Sequence, residues 1–460
     1  MSVRAVVLAA GKGTRMRCDL PKVLHTVSGR PIVAWAVDAA LGAGADQVAV
    51  VVGHGADVVS AALPDAAVPV VQETQGGTGH AARVALKAQR PAADDMVLIL
   101  PGDSPLMGVD TLRSLLALAE TSGAAAAMLT AHLPDPTGYG RVVREGGSVV
   151  AIVEHTDADE ATRKIDEVAV STYAFRADAL EKALAEIRPQ GAKGEEYLTD
   201  VIALLAADGG VVALAAADHT EALGVNTHTQ LAEVDAVMRQ RINRAWMEAG
   251  VWMQDPATTF VDAGVTLEAG VRLMAGVHLE GATRVAAGAI VGPQVLAADS
   301  TIGAGSHVWY SVLRGVTVEQ EVEVGPFASL RHGTVMRRGS KAGTFVEIKA
   351  SEVGEGSKVP HLSYVGDATI GSASNFGAGS ITCNWDGERK HHTVIGDGVF
   401  IGSDTMLVAP VEVGDGAYTG AGSVITRDVA PGALAVERSQ QRELPGYAER
   451  RSRLTKTEGD

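Results

Sequence analysis

Val261, Leu267, Leu273, Leu279, Val285 and Val291 stand six residues apart without a miss, and Gly264, Gly270, Gly276 and Gly288 keep the same step. A period of six suits neither a helix, whose apolar face returns every ~3.6 residues, nor a half-buried strand, whose face alternates. It suits a parallel β-helix, in which each short strand turns one aliphatic inward and glycine or another small residue rounds the corner. The phase slips and resumes at VGPFAS, VGEGSK, IGDGVF, IGSDTM and VGDGAY. Aromatics make up only 4% of the chain while glycine reaches 53 residues, which matches a core of small aliphatics joined by tight turns.

Residues 1 to about 225 follow a different rule. AVVLAA, QVAVVVG, DMVLILPGD and AAAMLTAHL read as buried strands. Ile32–Ala43, Gly79–Gln89 and Asp110–Glu120 read as the helices between them. This alternation predicts a mostly parallel sheet covered on both faces, with ligands beyond the carboxyl ends of its strands. Leu231, Val234, Met238, Ile242 and Ala245 then recur at helical spacing up to Gly250, predicting a connecting helix. The division that follows is 1–226 for the α/β domain, 227–250 for the linker helix and 251–460 for the β-helix with a charged, frayed tail after Arg438.

A chain of 460 residues accommodates two such domains. Its net charge of −16 excludes general nucleic-acid binding, so any phosphate site is local. Cys18 and Cys383 are far apart and form no metal-type spacing, which predicts a reducing, cytoplasmic setting. The longest apolar runs fall short of the ~20 residues that span a bilayer, so no integral membrane association is expected. The N-terminal run makes a poor signal peptide.

The stretch LAAGKGTRM, Leu8 to Met16, follows the first strand and has phosphate-handling composition, yet it fits neither a Walker A loop nor a dinucleotide loop. Its backbone N–H groups around Gly11 and Gly13 can approach a triphosphate as an anion nest. Asp103 ends a strand candidate at the sheet's carboxyl edge. In the second half, His391-His392 reads as a solvated loop, since no third ligand follows at zinc-type spacing. Cys383 reads as a small buried residue.

Over nearly its whole length the chain resembles the bacterial bifunctional N-acetylglucosamine-1-phosphate uridylyltransferase / glucosamine-1-phosphate N-acetyltransferases. LAAGKGTRM, Pro21-Lys22, QGGTGHAA, PGD, GYGR, Val153-Glu154-His155 and GVN carry the likeness in the first half. LRHGT, GTFVEIK, HLSYVGDA, NFGAGSITCNWDG and IGSDTMLVAPV carry it in the second. The resemblance implies a Rossmann-like nucleotidyltransferase domain followed by a left-handed β-helix, assembled as a homotrimer whose acetyl-transfer sites draw on neighbouring chains. It further implies small-molecule substrates only, namely glucosamine-1-phosphate, N-acetylglucosamine-1-phosphate, UTP and acetyl-CoA, with Mg²⁺ as cofactor and a product used for bacterial cell-envelope polymers. A β-helix serving only as an assembly or regulatory module is the alternative.

By the same resemblance, Arg15 and Lys22 neutralise phosphate charge, with Lys12 nearby. Leu8, Ala10, Gly11, Gly13 and Gly102 belong to the UTP site, and Gln75, Gly77 and Thr78 to its uracil side. Asp103 and Asn226 hold Mg²⁺, while Gly138, Glu154 and Ala169 meet the acetylated sugar. In the second half His361 is the general base and Glu347 orients it. Arg331, Lys349, Tyr364 and Asn375 bind glucosamine-1-phosphate. Asn384, which holds the attacking amine, Trp385, Lys390, which also faces the sugar phosphate, Ser403, Ala421 and Arg438 line the acetyl-CoA groove. Departures from the family pattern are Trp385 for Tyr, His332 for Pro, Ala169-Val170-Ser171 for N-[TA]-G, and Glu195-Glu196-Tyr197 for EYY. The last two fall on the acetylated-sugar side.

Overall fold

The computed structural model describes residues 2–189, 194–208 and 210–457. The chain divides into two compact units, Met1–Asn243 and Arg244–Asp460.

In the first unit the strands are β1 (Val3–Leu8), β2 (Thr26–Val27), β3 (Arg30–Pro31), β4 (Gln47–Val52), β5 (Ala67–Val71), β6 (Met96–Pro101), β7 (Ala126–His132), β8 (Arg141–Glu145), β9 (Ser148–Val153), β10 (Glu167–Arg176) and β11 (Val211–Ala215). The helices are α1 (Ile32–Gly42), α2 (Ala56–Ala61), α3 (Thr78–Gln89), α4 (Val109–Ser122), α5 (Glu160–Arg163), α6 (Ala177–Glu186), α7 (Leu198–Ala207) and α8 (His228–Glu248). The main sheet runs β11-β7-β10-β6-β1-β4-β5. Its centre is parallel, with β1 flanked by β4 and β6. These strands are apolar runs because both faces are covered. Ala5 and Val7 face one apolar cluster with α1 and α4, and Val6 faces the other with α3, α6 and α7.

The alternation in the sequence does not anticipate β10, which enters antiparallel between β6 and β7. It also misses the β8–β9 hairpin attached to β10. Between β7 and β10 the connections are turns and the four-residue α5 rather than long helices.

Helix α8 spans His228–Glu248, but the boundary between units falls at Asn243, inside it, rather than before it. The reason is packing: Val234 and Met238 join the buried cluster of Met16, Val27, Ile32, Leu106 and Val225.

The second unit is a left-handed parallel β-helix. Its two- to four-residue strands stack into three sheets of 11, 10 and 9 strands among the described residues. Phe260 pairs with His278 and Thr266 with Arg284, one coil of three hexapeptides apart. All six aliphatics of the opening repeat are buried, Leu273, Leu279 and Val291 completely. Each such side chain contributes about 1.5–3 kcal/mol on burial. One coil is longer than the rest: Ala368 pairs with Thr393, whereas Glu352 pairs with Thr369. The extra residues form a loop from Asn384 to His392. The tail, expected to fray, instead ends in helix α9 (Tyr447–Thr457), whose first turn carries Glu449 where the helix dipole favours an anion. Its described side chains are exposed.

Candidate functional site

Gly102 N donates to Leu8 O at 2.9 Å, so the carboxyl ends of β6 and β1 lie side by side. The segment that leaves β1 turns at Gly13, whose φ of 60° is left-handed and where a Cβ would come within 2.7 Å of Lys22 Cβ. Glycine thus lets the phosphate-loop candidate lie directly over Lys22. A short turn, Thr14–Met16, then buries Met16 and leaves Arg15 outward.

Lys22 Nζ donates to Asp103 Oδ2 and, at 3.0 Å, to Asn226 Oδ1. Arg15 Nη2 donates to the same Asn226 oxygen at 2.8 Å. Val225 N bonded to Asp103 O, and Asn226 N bonded to Gln230 Oε1, hold this group together. Beyond β5, Gln75 Nε2 donates to Ala10 O at 2.9 Å. Thr78 opens α3, where a helix N-terminus favours anions.

These residues surround a cavity of about 590 Å³, of a size that suits a nucleotide. Leu8, Ala10, Gly11, Gly13, Arg15 and Lys22 line it, as do Lys12, Gln75, Gly77 and Thr78. Asp103 and Asn226 complete the wall.

A second cavity, of about 310 Å³, shares Leu8, Thr78, Ser171 and Tyr197 with the first and reaches Glu154, Asp157 and Thr199. Burial pushes the Glu154 carboxyl above its ordinary pKa, partly offset by the Thr199 hydroxyl, with the Asp157 and Asp200 charges adding to the rise. Gly138 and Gly102 line neither cavity. Ala169 is buried in the apolar cluster of that side, its N bonded to Gly140 O, and it is Ser171 that lines both cavities. Glu196 is paired with Arg83 at 2.5 Å, and its backbone bonds Gly76 and Gly79. That departure therefore anchors the Glu195–Tyr197 segment to the start of α3.

In the β-helix, successive coils bring polar residues into one column. Ser329 pairs with Glu347 and Glu347 with Tyr364. Arg331 Nη1 donates to Glu347 Oε1 at 2.8 Å. Lys349 Nζ lies 3.4 Å from Asp367 Oδ2, and Asn384 Nδ2 donates to the same oxygen at 2.5 Å and to Tyr364 Oη at 3.4 Å. A Cβ on Gly366 would clash with Tyr364 Oη and Asn384 Nδ2, so glycine makes room for both. The Lys349 ammonium holds its neighbour Lys390 below the usual lysine pKa. Asp367, at the centre of this group, had no role in the sequence reading. Its signal was the Asp of HLSYVGDA, directly after that glycine.

His361 ends the strand Lys358–His361, in a different sheet from Glu347. Its side chain is exposed and makes no hydrogen bond among the described residues. Glu347 is engaged by Arg331 instead, so within the chain the base–orienter pair is not formed. Asn375 pairs with Lys358 and Phe400 in the sheet of His361. Arg438 Nη1 donates to Ala421 O at 2.9 Å, and Gly422 N to Ser403 O at 2.8 Å, which gathers these three positions. No hydrogen bond joins them to the Lys349 group among the described residues. Trp385 is 57% exposed on the long-coil loop.

That loop is tied by Asp386, whose carboxyl is held far below its usual pKa by the Arg389 and Glu388 amides and by His391. His392 bonds Thr369. Both histidines thus have structural partners. Cys383 is half-buried, and burial raises its thiol pKa, which disfavours a nucleophile. No helix among the described residues is long and apolar enough to cross a membrane.

Comparison with known proteins assigns both halves. Residues 5–167 match the MobA-like NTP transferase domain, and residues 392–427 match the bacterial transferase hexapeptide family (six repeats). The bifunctional protein GlmU of Streptomyces coelicolor is 48% identical over 97% of this chain and 94% of its own length. That of Desulfitobacterium hafniense is 45% identical over 96% of this chain and 98% of its own. That of Heliobacterium modesticaldum is 48% identical over 95% and 96%. The chain belongs to the GlmU family and is a bifunctional enzyme, a uridylyltransferase and an acetyltransferase in one polypeptide.

Proposed function

We propose that the two units divide the synthesis of UDP-N-acetylglucosamine between them. The β-helix acetylates glucosamine-1-phosphate with acetyl-CoA, and the α/β unit transfers UMP from UTP to N-acetylglucosamine-1-phosphate, releasing pyrophosphate. The observation that carries this reading is the convergence of Lys22, Arg15, Asp103 and Asn226 in the wall of the larger cavity.

In the first reaction the sugar phosphate oxygen attacks the α-phosphorus of UTP. Both reactants are anions, so catalysis consists mainly of positioning and charge neutralisation. Arg15 and Lys22 supply positive charge, the amides around Gly11 cradle phosphate oxygens, and Gln75 and Thr78 face the base. The acceptor sugar lies toward Glu154. Asp103 and Asn226 offer a carboxylate and an amide oxygen, the donor types a hard divalent cation prefers, and both already converge on one cation, the Lys22 ammonium. They would hold Mg²⁺, which when bound neutralises phosphate charge.

In the second reaction His361 takes the proton of the sugar amine as that amine attacks the thioester carbonyl and the CoA thiolate leaves. Arg331, Lys349 and Lys390 surround the sugar phosphate, and Asn384 holds the amine. Ser403, Ala421 and Arg438 line the acetyl-CoA groove. Among the described residues of its own chain His361 has no orienting partner, and a homotrimer with sites between neighbours is the assembly that would complete it. Two free cysteines suit a cytoplasmic enzyme. Assaying thiol release from acetyl-CoA and pyrophosphate release from UTP on one preparation tests the reading. Absence of either activity contradicts it.

A further inference from the structure

Between Ala169 and Tyr173 the pairing of β10 with β7 slips: Ala169 faces Thr130, and Tyr173 faces Met128. Three residues of β10, Val170 to Thr172, therefore stand opposite Leu129 alone. Such bulges beside active sites re-aim a side chain. Here the re-aimed residue is Ser171. Its φ of 55° is left-handed, a conformation uncommon outside glycine and worth tracing to a cause.

Its neighbours other than Tyr173 point elsewhere. Val170 is buried in the apolar cluster with α1 and α4, Thr172 is fully buried, and Ala169 and Tyr173 lie in the opposite cluster. Ser171 alone of the five is exposed, and it lines both cavities where they meet. Tyr173, wholly inside, also lines the smaller cavity, and its hydroxyl reaches the Ser171 side chain, though not in a hydrogen bond of ordinary geometry. The bulge thus presents one small hydroxyl, able to donate and accept, at the junction.

We infer that Ser171 is a specificity-determining residue for uridylyl transfer, its hydroxyl bonding the N-acetylated sugar-1-phosphate where the sugar passes from the phosphate cavity toward Glu154. This rests on the assignment of the Glu154 cavity to the acceptor. Ser171→Ala keeps the Cβ at the left-handed position and removes only the hydroxyl. It should raise KM for N-acetylglucosamine-1-phosphate about three- to tenfold, the worth of one neutral hydrogen bond, with KM for UTP and Tm unchanged. Ser171→Asn, which tolerates this backbone and restores a polar group, should recover most of the loss. Glu154→Ala serves as the arm for the acceptor assignment. If Glu154→Ala raises the acceptor KM and Ser171→Ala does not, the inference is overturned and the acceptor assignment stands. If neither moves it, both fall. A Ser171→Ala enzyme whose Tm and both KM values shift together marks a structural role and also overturns the inference.

Discussion

Lys22 and Asn226 are 204 residues apart in the chain, yet the Lys22 ammonium lies 3.0 Å from the Asn226 side-chain oxygen. Two loops at the carboxyl edge of one sheet bring them together, with Asp103 on the same ammonium. One cation thus joins both oxygens that the account gives to Mg²⁺.

Lys22→Ala should therefore cost uridylyl transfer heavily. Removing one preorganised charge of this kind lowers kcat by about 10²–10³. Acetyl transfer should be untouched. Pyrophosphate release at saturating Mg²⁺ measures the first, and thiol release the second.

Glu154 gives a pH signature. Burial raises its carboxyl pKa, so the folded protein binds that proton more tightly than the unfolded chain does. The group's contribution is fully present below the unfolded pKa of about 4.3 and is lost as pH rises through the folded value. Glu154→Gln has no charge to bury, so it should melt above the wild type at pH 7, and the two curves should converge toward pH 4. Paired Tm measurements across that range check the sign.

A fragment ending at residue 227 should be less stable than one ending at 248. The shorter one loses Val234 and Met238 from a buried cluster, each worth about 1.5–3 kcal/mol. It also loses the bond from Ser28 N to Asp235 and the bond from Arg241 to Leu106 O. Melting curves and pyrophosphate release on both fragments decide it. Equal Tm values would mean that α8 does not support the first unit.

The β-helix was legible because a six-residue period forces one geometry and the core aliphatics follow it. The central parallel strands were legible as continuous apolar runs. Strand β10 was not, since it enters antiparallel and its bulge breaks the alternation. At the sites, residues in compact motifs such as Gly11, Arg15 and Asp103 could be picked out, because a loop that follows a strand keeps its neighbours together. Asp367 could not, because it acts through side chains from two other coils. Ser171 stood out only as a departure on the acetylated-sugar side; its place between the two cavities follows from a register slip that spacing does not reveal. The Arg331–Glu347 pair likewise depends on stacking of coils, so nothing local to Glu347 signals that Arg331, not His361, engages it.

The central claim is that two separate sets of residues perform two reactions. Its most direct test is to measure both half-reactions on Asp103→Ala and on His361→Ala, each checked for native fold and assembly. Asp103→Ala should abolish pyrophosphate release and keep thiol release. His361→Ala should keep pyrophosphate release and lose thiol release by about 10²–10⁴-fold, with partial recovery at higher pH as free amine becomes more abundant. If either substitution in a folded enzyme lowers both activities equally, the division of labour is contradicted.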